Sequence, residues 1–218
     1  MAAIAGWMHN TVLFPFLFTF PDRHMKLAVI QARTMRNAAA ALATASILVP
    51  GTQVLAAPLK VDPAKSAVSA TFQQMGVGVD ASFRKFNAQV DYDAAKPEKS
   101  KASVEIDIPS FDLGDPDYNQ EVLKKAWFNA AQFPKASFVS SAIRASAPGK
   151  LDVSGKLTIK GKTADVAFPV TVKKTGSTTV LEGKLPIKRL AFGIGEGEWK
   201  DTSIVADEVT ISFRVVGQ

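Results

Sequence analysis

The stretch Leu151-Asp152-Val153-Ser154-Gly155-Lys156-Leu157-Thr158-Ile159 decides the fold class, because its apolar or small residues alternate one for one with polar residues. That period of two is the signature of a strand with one buried face. The same alternation recurs on both sides. Ala102, Val104, Ile106 and Ile108 form one set, Ala164, Val166, Phe168, Val170 and Val172 a second, and Val209, Ile211, Phe213 and Val215 a third. Weaker alternation marks Val68 to Gln74, Val79 to Tyr92, Lys135 to Arg144 and Thr179 to Lys188, which brings the expectation to eight strands. Met75-Gly76, the polar run Ala94 to Lys101, Pro148-Gly149, Lys160-Gly161-Lys162 and Thr175-Gly176-Ser177 separate them, so neighbours are antiparallel. The phase slips between Phe83 and Phe86, which predicts a bulge and bend at Arg84-Lys85. Asp115-Pro116 is an N-cap and first helical position, and Val122, Leu123, Ala126 and Trp127 follow at helical spacing, so a helix is expected over Pro116 to Ala126.

Eight antiparallel strands with one apolar face each close into an up-and-down, lipocalin-like barrel, an all-β fold with one short helix. Such a barrel is either packed solid or holds one small ligand. The inward set expected to line it is Phe72, Val79, Ala81, Phe83 and Phe86, then Val104, Ile106, Ile108 and Phe138, then Val153, Gly155, Leu157, Val166 and Phe168, and finally Phe192, Ile211 and Phe213. Gly155 lies in phase with its neighbours, so a large side chain there is expected to enter the lumen. An outer-membrane barrel with a polar lumen is opposed by the scarcity of aromatic residues for two girdles and by the helical segment.

The first 56 residues read as an address label. Met35-Arg36-Asn37 is a short cationic start, Ala38 to Val49 an apolar run shorter than a bilayer span, and Val54-Leu55-Ala56 a cleavage signal. Residues 1–34 are expected to be an upstream extension from an early start, 35–56 a signal peptide cut between Ala56 and Ala57, and 57–218 the functional domain, exported to the periplasm. A retained anchor built on Thr11 to Phe20 is the alternative.

Of the 218 residues, 47% are hydrophobic and 21% charged, the balance of a globular protein. The formal charge of +6 is inflated by the leader, which holds Arg23, Lys26, Arg33 and Arg36 against Asp22 alone. Nucleic-acid binding is disfavoured by that mild residual charge and by the lack of interleaved aromatics. There is no cysteine, and the only histidines are His9 and His24, so residues 57–218 cannot hold a Ser-His-Asp triad, a Cys-His dyad or a typical zinc site. No catalytic, metal or cofactor residues are assigned. Asp112, Asp115 and Asp117 miss the spacing of an EF-hand loop. Gly193-Ile194-Gly195-Glu196-Gly197 lacks the helix of a phosphate loop and is expected to be a flexible connection between the last two strands. The bases Lys156, Lys160, Lys162, Lys173, Lys174, Lys184, Lys188 and Arg189 are read as solvated faces, some of them near a barrel mouth where an anionic membrane surface is met.

Several stretches together resemble the YceI-like family of exported, lipocalin-like proteins: Leu59-Lys60-Val61-Asp62 with Ser66 to Phe72, the pair Phe83 and Phe86, Trp127-Phe128 to Phe138, Leu157 to Thr163, Phe192 to Trp199, and Val209-Thr210-Ile211. Lys65 and Asp115 to Gln120 depart from it, where many relatives carry a His and an Arg-Asp-x-His-Leu motif. The resemblance implies a polyisoprenoid-type amphiphile or isoprenoid quinone lying in an apolar barrel, carried or stored rather than turned over, with transient contact to a membrane surface or membrane protein. An enzyme acting on an apolar substrate, and a structural or stress-related partner protein with a filled barrel, are the other classes. Monomer and dimer both stay open.

Overall fold

The computed structural model describes residues 58–218. The extension, the signal peptide and its cleavage point lie outside the described residues. The strands are β1 (Pro58–Leu59), β2 (Ala67–Gln74), β3 (Val77–Phe83), β4 (Phe86–Asp91), β5 (Lys101–Asp107), β6 (Phe111–Asp112), β7 (Lys135–Ala147), β8 (Lys150–Ile159), β9 (Lys162–Thr175), β10 (Thr178–Lys188) and β11 (Val205–Gly217). All belong to one antiparallel sheet in the order β1-β4-β5-β7-β8-β9-β10-β11-β2-β3-β6, curled so that its apolar face is inside. The count is eleven rather than eight for two reasons. The bend at Arg84-Lys85 divides one expected strand into β3 and β4, which sit near opposite ends of the sheet, and two two-residue strands tie those ends down.

The chain itself brings the ends of the sheet together. Leu59 pairs with Val90 of β4, while Lys60 and Asp62 donate to Gln218 and Val216 at 2.8 and 2.7 Å, so residues 58–62 join β4 to β11. At the other end Arg84 donates to Ser110 at 3.0 Å and Asp107 to Lys85 at 3.0 Å. The hairpin turns follow the expected chemistry. Met75-Gly76 and Lys160-Gly161 carry successive positive φ values of 51 and 78°, and 48 and 74°, the pattern of a type I′ turn.

The one α-helix among the described residues, α1 (Pro116–Val122), is capped by the Asp115 carboxylate, which accepts the N–H groups of Asp117 and Tyr118. It stops four residues short of the expected Ala126. Phe128 and Ala130 donate instead to the carbonyls of Val122 and Leu123, and Asn129 takes a φ of 51°, which turns the chain back and buries Phe128 and Ala130 against the core.

Candidate ligand cavity

The interior of the sheet holds a cavity of about 150 Å³ walled almost entirely by aliphatic and aromatic side chains. From β3, β4 and β5 come Phe83, Phe86, Val104 and Ile106, with Ile108 just beyond. Phe138, Val153, Leu157 and Phe168 supply the middle strands, and Ile211 and Phe213 close the circuit. The outward positions between them are polar, as Asp152, Lys156 and Asp165 show, which is the reverse of an outer-membrane barrel.

Six residues expected in the lining lie elsewhere. Phe72 and Val79 face each other across β2 and β3, three residues from the Met75-Gly76 turn, and so sit toward the hairpin tip. Ala81 is buried opposite Ala70, too short to reach the lumen past its neighbours. Val166 packs against the core lower on β9 without bordering the cavity. Phe192 is buried in the turn Arg189–Phe192 at one end of the barrel. Gly155 is the most instructive. It is in phase, but a Cβ there would collide with the Phe138 ring and the Val139 carbonyl oxygen, so the residue is the seat of a neighbouring ring and opens no space. Gly183 seats Phe213 in the same way. Phe168 stands between these two rings, at 5.4 Å from Phe138 and 5.6 Å from Phe213, so a row of three aromatic rings crosses the lumen.

Several wall residues lie outside the expected set. Leu151 and Ile159 share the phase of Val153 and Leu157, Val170 that of Phe168, and Val215 that of Phe213, so alternation held the signal for these. Tyr92, Ser100 and Phe128 lie outside any clean alternating run. Tyr92 and Leu151 also border a second, more open pocket of about 380 Å³ formed by Ala94, Pro97 and Ala145 to Lys150. This end is the mouth. Burial there, with Asp93 adjacent, pushes the Tyr92 hydroxyl above its ordinary pKa.

The opposite end is shut by a polar plug. Arg189 is 2% exposed, the most buried charged side chain described, and its guanidinium contacts only backbone oxygens. Nε donates to Ala206 at 3.0 Å, Nη1 to Ile194 and Gly195 at 2.9 and 3.2 Å, and Nη2 to Trp199 and Val205 at 2.7 Å each. It also lies 5.9 Å from the centre of the Trp127 ring, which leans on Trp199. Desolvation lowers its pKa while Asp207 opposes that shift. Lys160 donates to the carbonyls of Lys125 and Gly193 at 2.9 and 2.6 Å and pairs with Glu196 at 3.1 Å. Gly195 and Glu196 both donate to Ala126, at 2.9 and 2.8 Å. The segment expected to be a flexible connection is therefore ordered, with Gly193, Ile194 and Gly195 buried. Two bases read as solvated are its buried anchors, because five or three donors reach carbonyls that turns leave free.

An antiparallel sheet curled about an apolar cavity, open at one end and plugged at the other, is a lipocalin-like fold. The model of the YceI-like domain matches residues 59–217, and the chain belongs to the YceI-like family. It is 27% identical to a UPF0312 protein of Azotobacter vinelandii over 192 residues, 84% of this chain and 98% of the relative. A UPF0312 protein of Pseudomonas savastanoi is 28% identical over 145 residues, 65% of this chain and 76% of the relative. Among solved structures, BcnA of Burkholderia cenocepacia is 54% identical with a TM-score of 0.72, covering 73% of this chain and all of that one. A polyisoprenoid-binding domain from Saccharophagus degradans shares the fold at 16% identity and a TM-score of 0.58, covering 74% of this chain and 97% of that domain.

Proposed function

We propose that the protein is exported to the periplasm and there holds an isoprenoid-type amphiphile, a polyisoprenoid or an isoprenoid quinone, as a carrier or reservoir. The observation that carries this is the cavity wall, which is overwhelmingly hydrocarbon and offers a polar head its best place at the mouth beside Tyr92. A dry apolar void accepts apolar guests and excludes water, since a water needs two or more polar partners. Membership of the family and the polyisoprenoid-binding description of the S. degradans domain support the same class of guest. The empty space of about 150 Å³ has room for one ring or a short branched chain. A longer prenyl tail fits once the rings of Phe138, Phe168 and Phe213 swing aside. The lining holds no His, Cys, Asp, Glu or Lys to activate its few hydroxyls, which favours holding over turnover.

Native mass spectrometry of the processed protein from its own host tests this. The expected spectrum shows a bound mass that solvent extraction identifies as a prenyl lipid, unchanged in structure. A bound mass converted to product points to an enzyme, and a protein that never carries an apolar molecule points to a filled barrel.

A further inference from the structure

Between two neighbouring long strands of the wall the ladder stops well short of the strands' own length. β9 pairs with β10 only from Val170↔Gly183 to Thr175↔Thr178, although β9 starts at Lys162 and β10 runs on to Lys188. Over that interval each strand keeps its other neighbour, β9 pairing with β8 down to Lys162 and β10 with β11 down to Lys188. The ladder between the two strands therefore ends at Val170 and Gly183 while each stays a strand.

Two prolines account for the gap in the ladder. Val172 donates its N–H to Gly149 on the β8 side at 2.8 Å, so by alternation Thr171, Pro169, Ala167, Asp165 and Thr163 point their backbone groups at β10. Leu181 is opposite Val172, which makes Glu182, Lys184, Pro186 and Lys188 the residues pointing at β9. Continued downward, the register would set Lys184 against Pro169 and Pro186 against Ala167. Each of those two rungs lacks one donor, because proline has no N–H. Neither proline disturbs the ladder on its strand's other side, where its nitrogen does not point. From within, only side chains close the gap, and two of them, Phe168 of β9 and Leu185 of β10, also wall the cavity.

We propose that this seam is a side portal through which a hydrocarbon chain enters and leaves the cavity, with Phe168 and Leu185 as the side chains that part. The portal rests on the carrier reading given above. Its location follows from the energetics of opening: fewer backbone hydrogen bonds resist opening here than between fully paired strands, where each rung costs its ladder bonds.

Two measurements test it. Amide exchange should alternate along β9, with Thr163, Asp165 and Ala167 exchanging about 100-fold or more faster than Ala164, Val166 and Phe168, whose N–H groups are held by β8. Equal protection of both sets overturns the proposal, because the seam is then zipped. The second uses the absence of cysteine in the chain. A short bis-maleimide staple across Ala167→Cys and Lys184→Cys should slow uptake of N-phenyl-1-naphthylamine about tenfold against the same pair capped with a monofunctional maleimide. The same staple across the mouth, at Ala94→Cys and Ala147→Cys, should leave the rate within about twofold. Uptake that proceeds unslowed past the seam staple overturns the portal alone, and unstapled protein that takes up no probe overturns the carrier reading and the portal with it.

Discussion

The two ends of the barrel solve opposite problems with different chemistry. At the plugged end a guanidinium and an ammonium are taken out of water and satisfied by carbonyls of turns, so the segment from Arg189 to Val205 is held in one conformation. At the mouth the loops carrying Ala94, Pro97 and Ala145 to Lys150 are mostly exposed, and Tyr92 is the one half-buried side chain there with a hydroxyl. Buried polar groups cost several kcal/mol when unpaired, so they fix structure only where every partner is supplied. Keeping the buried charges at the plugged end leaves the lumen wall mostly hydrocarbon, which is what an apolar guest requires.

The sharpest way to break the comparison is at Arg189. Arg189→Met removes all five donated hydrogen bonds and strands buried carbonyls, and should cost about 3 kcal/mol or more by chemical denaturation. Tyr92→Phe at the mouth should cost under about 1 kcal/mol, because it removes one hydroxyl from a half-buried ring. Gly195→Ala comes next. Its φ of +76° and its contact with the guanidinium leave no place for a methyl group, so a loss of about 1–3 kcal/mol is expected in the same assay.

The smallest expected effect is on acid stability near the helix. Asp112 accepts hydrogen bonds from the Asn119 side chain, the Gly114 N–H and Arg84, which hold its pKa at about 2 against 3.8. A depressed folded value stabilises the protein above pH 3.8, and that contribution fades as the pH falls from there toward 2. Asp112→Asn should therefore flatten the acid limb of the stability curve in that window and leave the region near pH 7 close to its own plateau, as followed by circular dichroism.

The strands were legible because alternation reports which face is buried, and Leu151 to Ile159 shows it without a break. What alternation does not report is how far a facing side chain reaches. Gly155 and Phe138 have the same facing, yet one is the seat of the other, and only the cross-strand neighbour tells them apart. Arg189 was illegible for a related reason. Composition reads a base next to Lys188 as surface, whereas its burial follows from carbonyls supplied by residues up to 17 positions away. Pro169 and Pro186 were in view in the sequence, but their effect depends on which neighbour each nitrogen points toward, and that requires the register.

The account stands on the cavity being a site for an apolar chain, and a thermal titration with a prenol addresses that most directly. A guest that binds only the folded state at about 100 times its Kd adds about 2.7 kcal/mol. For a domain of this size that raises Tm by about 5–10 °C, with a smaller rise in Phe168→Trp, where the larger ring occupies the same space. A Tm that does not move with prenol up to its solubility limit, in protein first stripped of any bound lipid, would contradict the account.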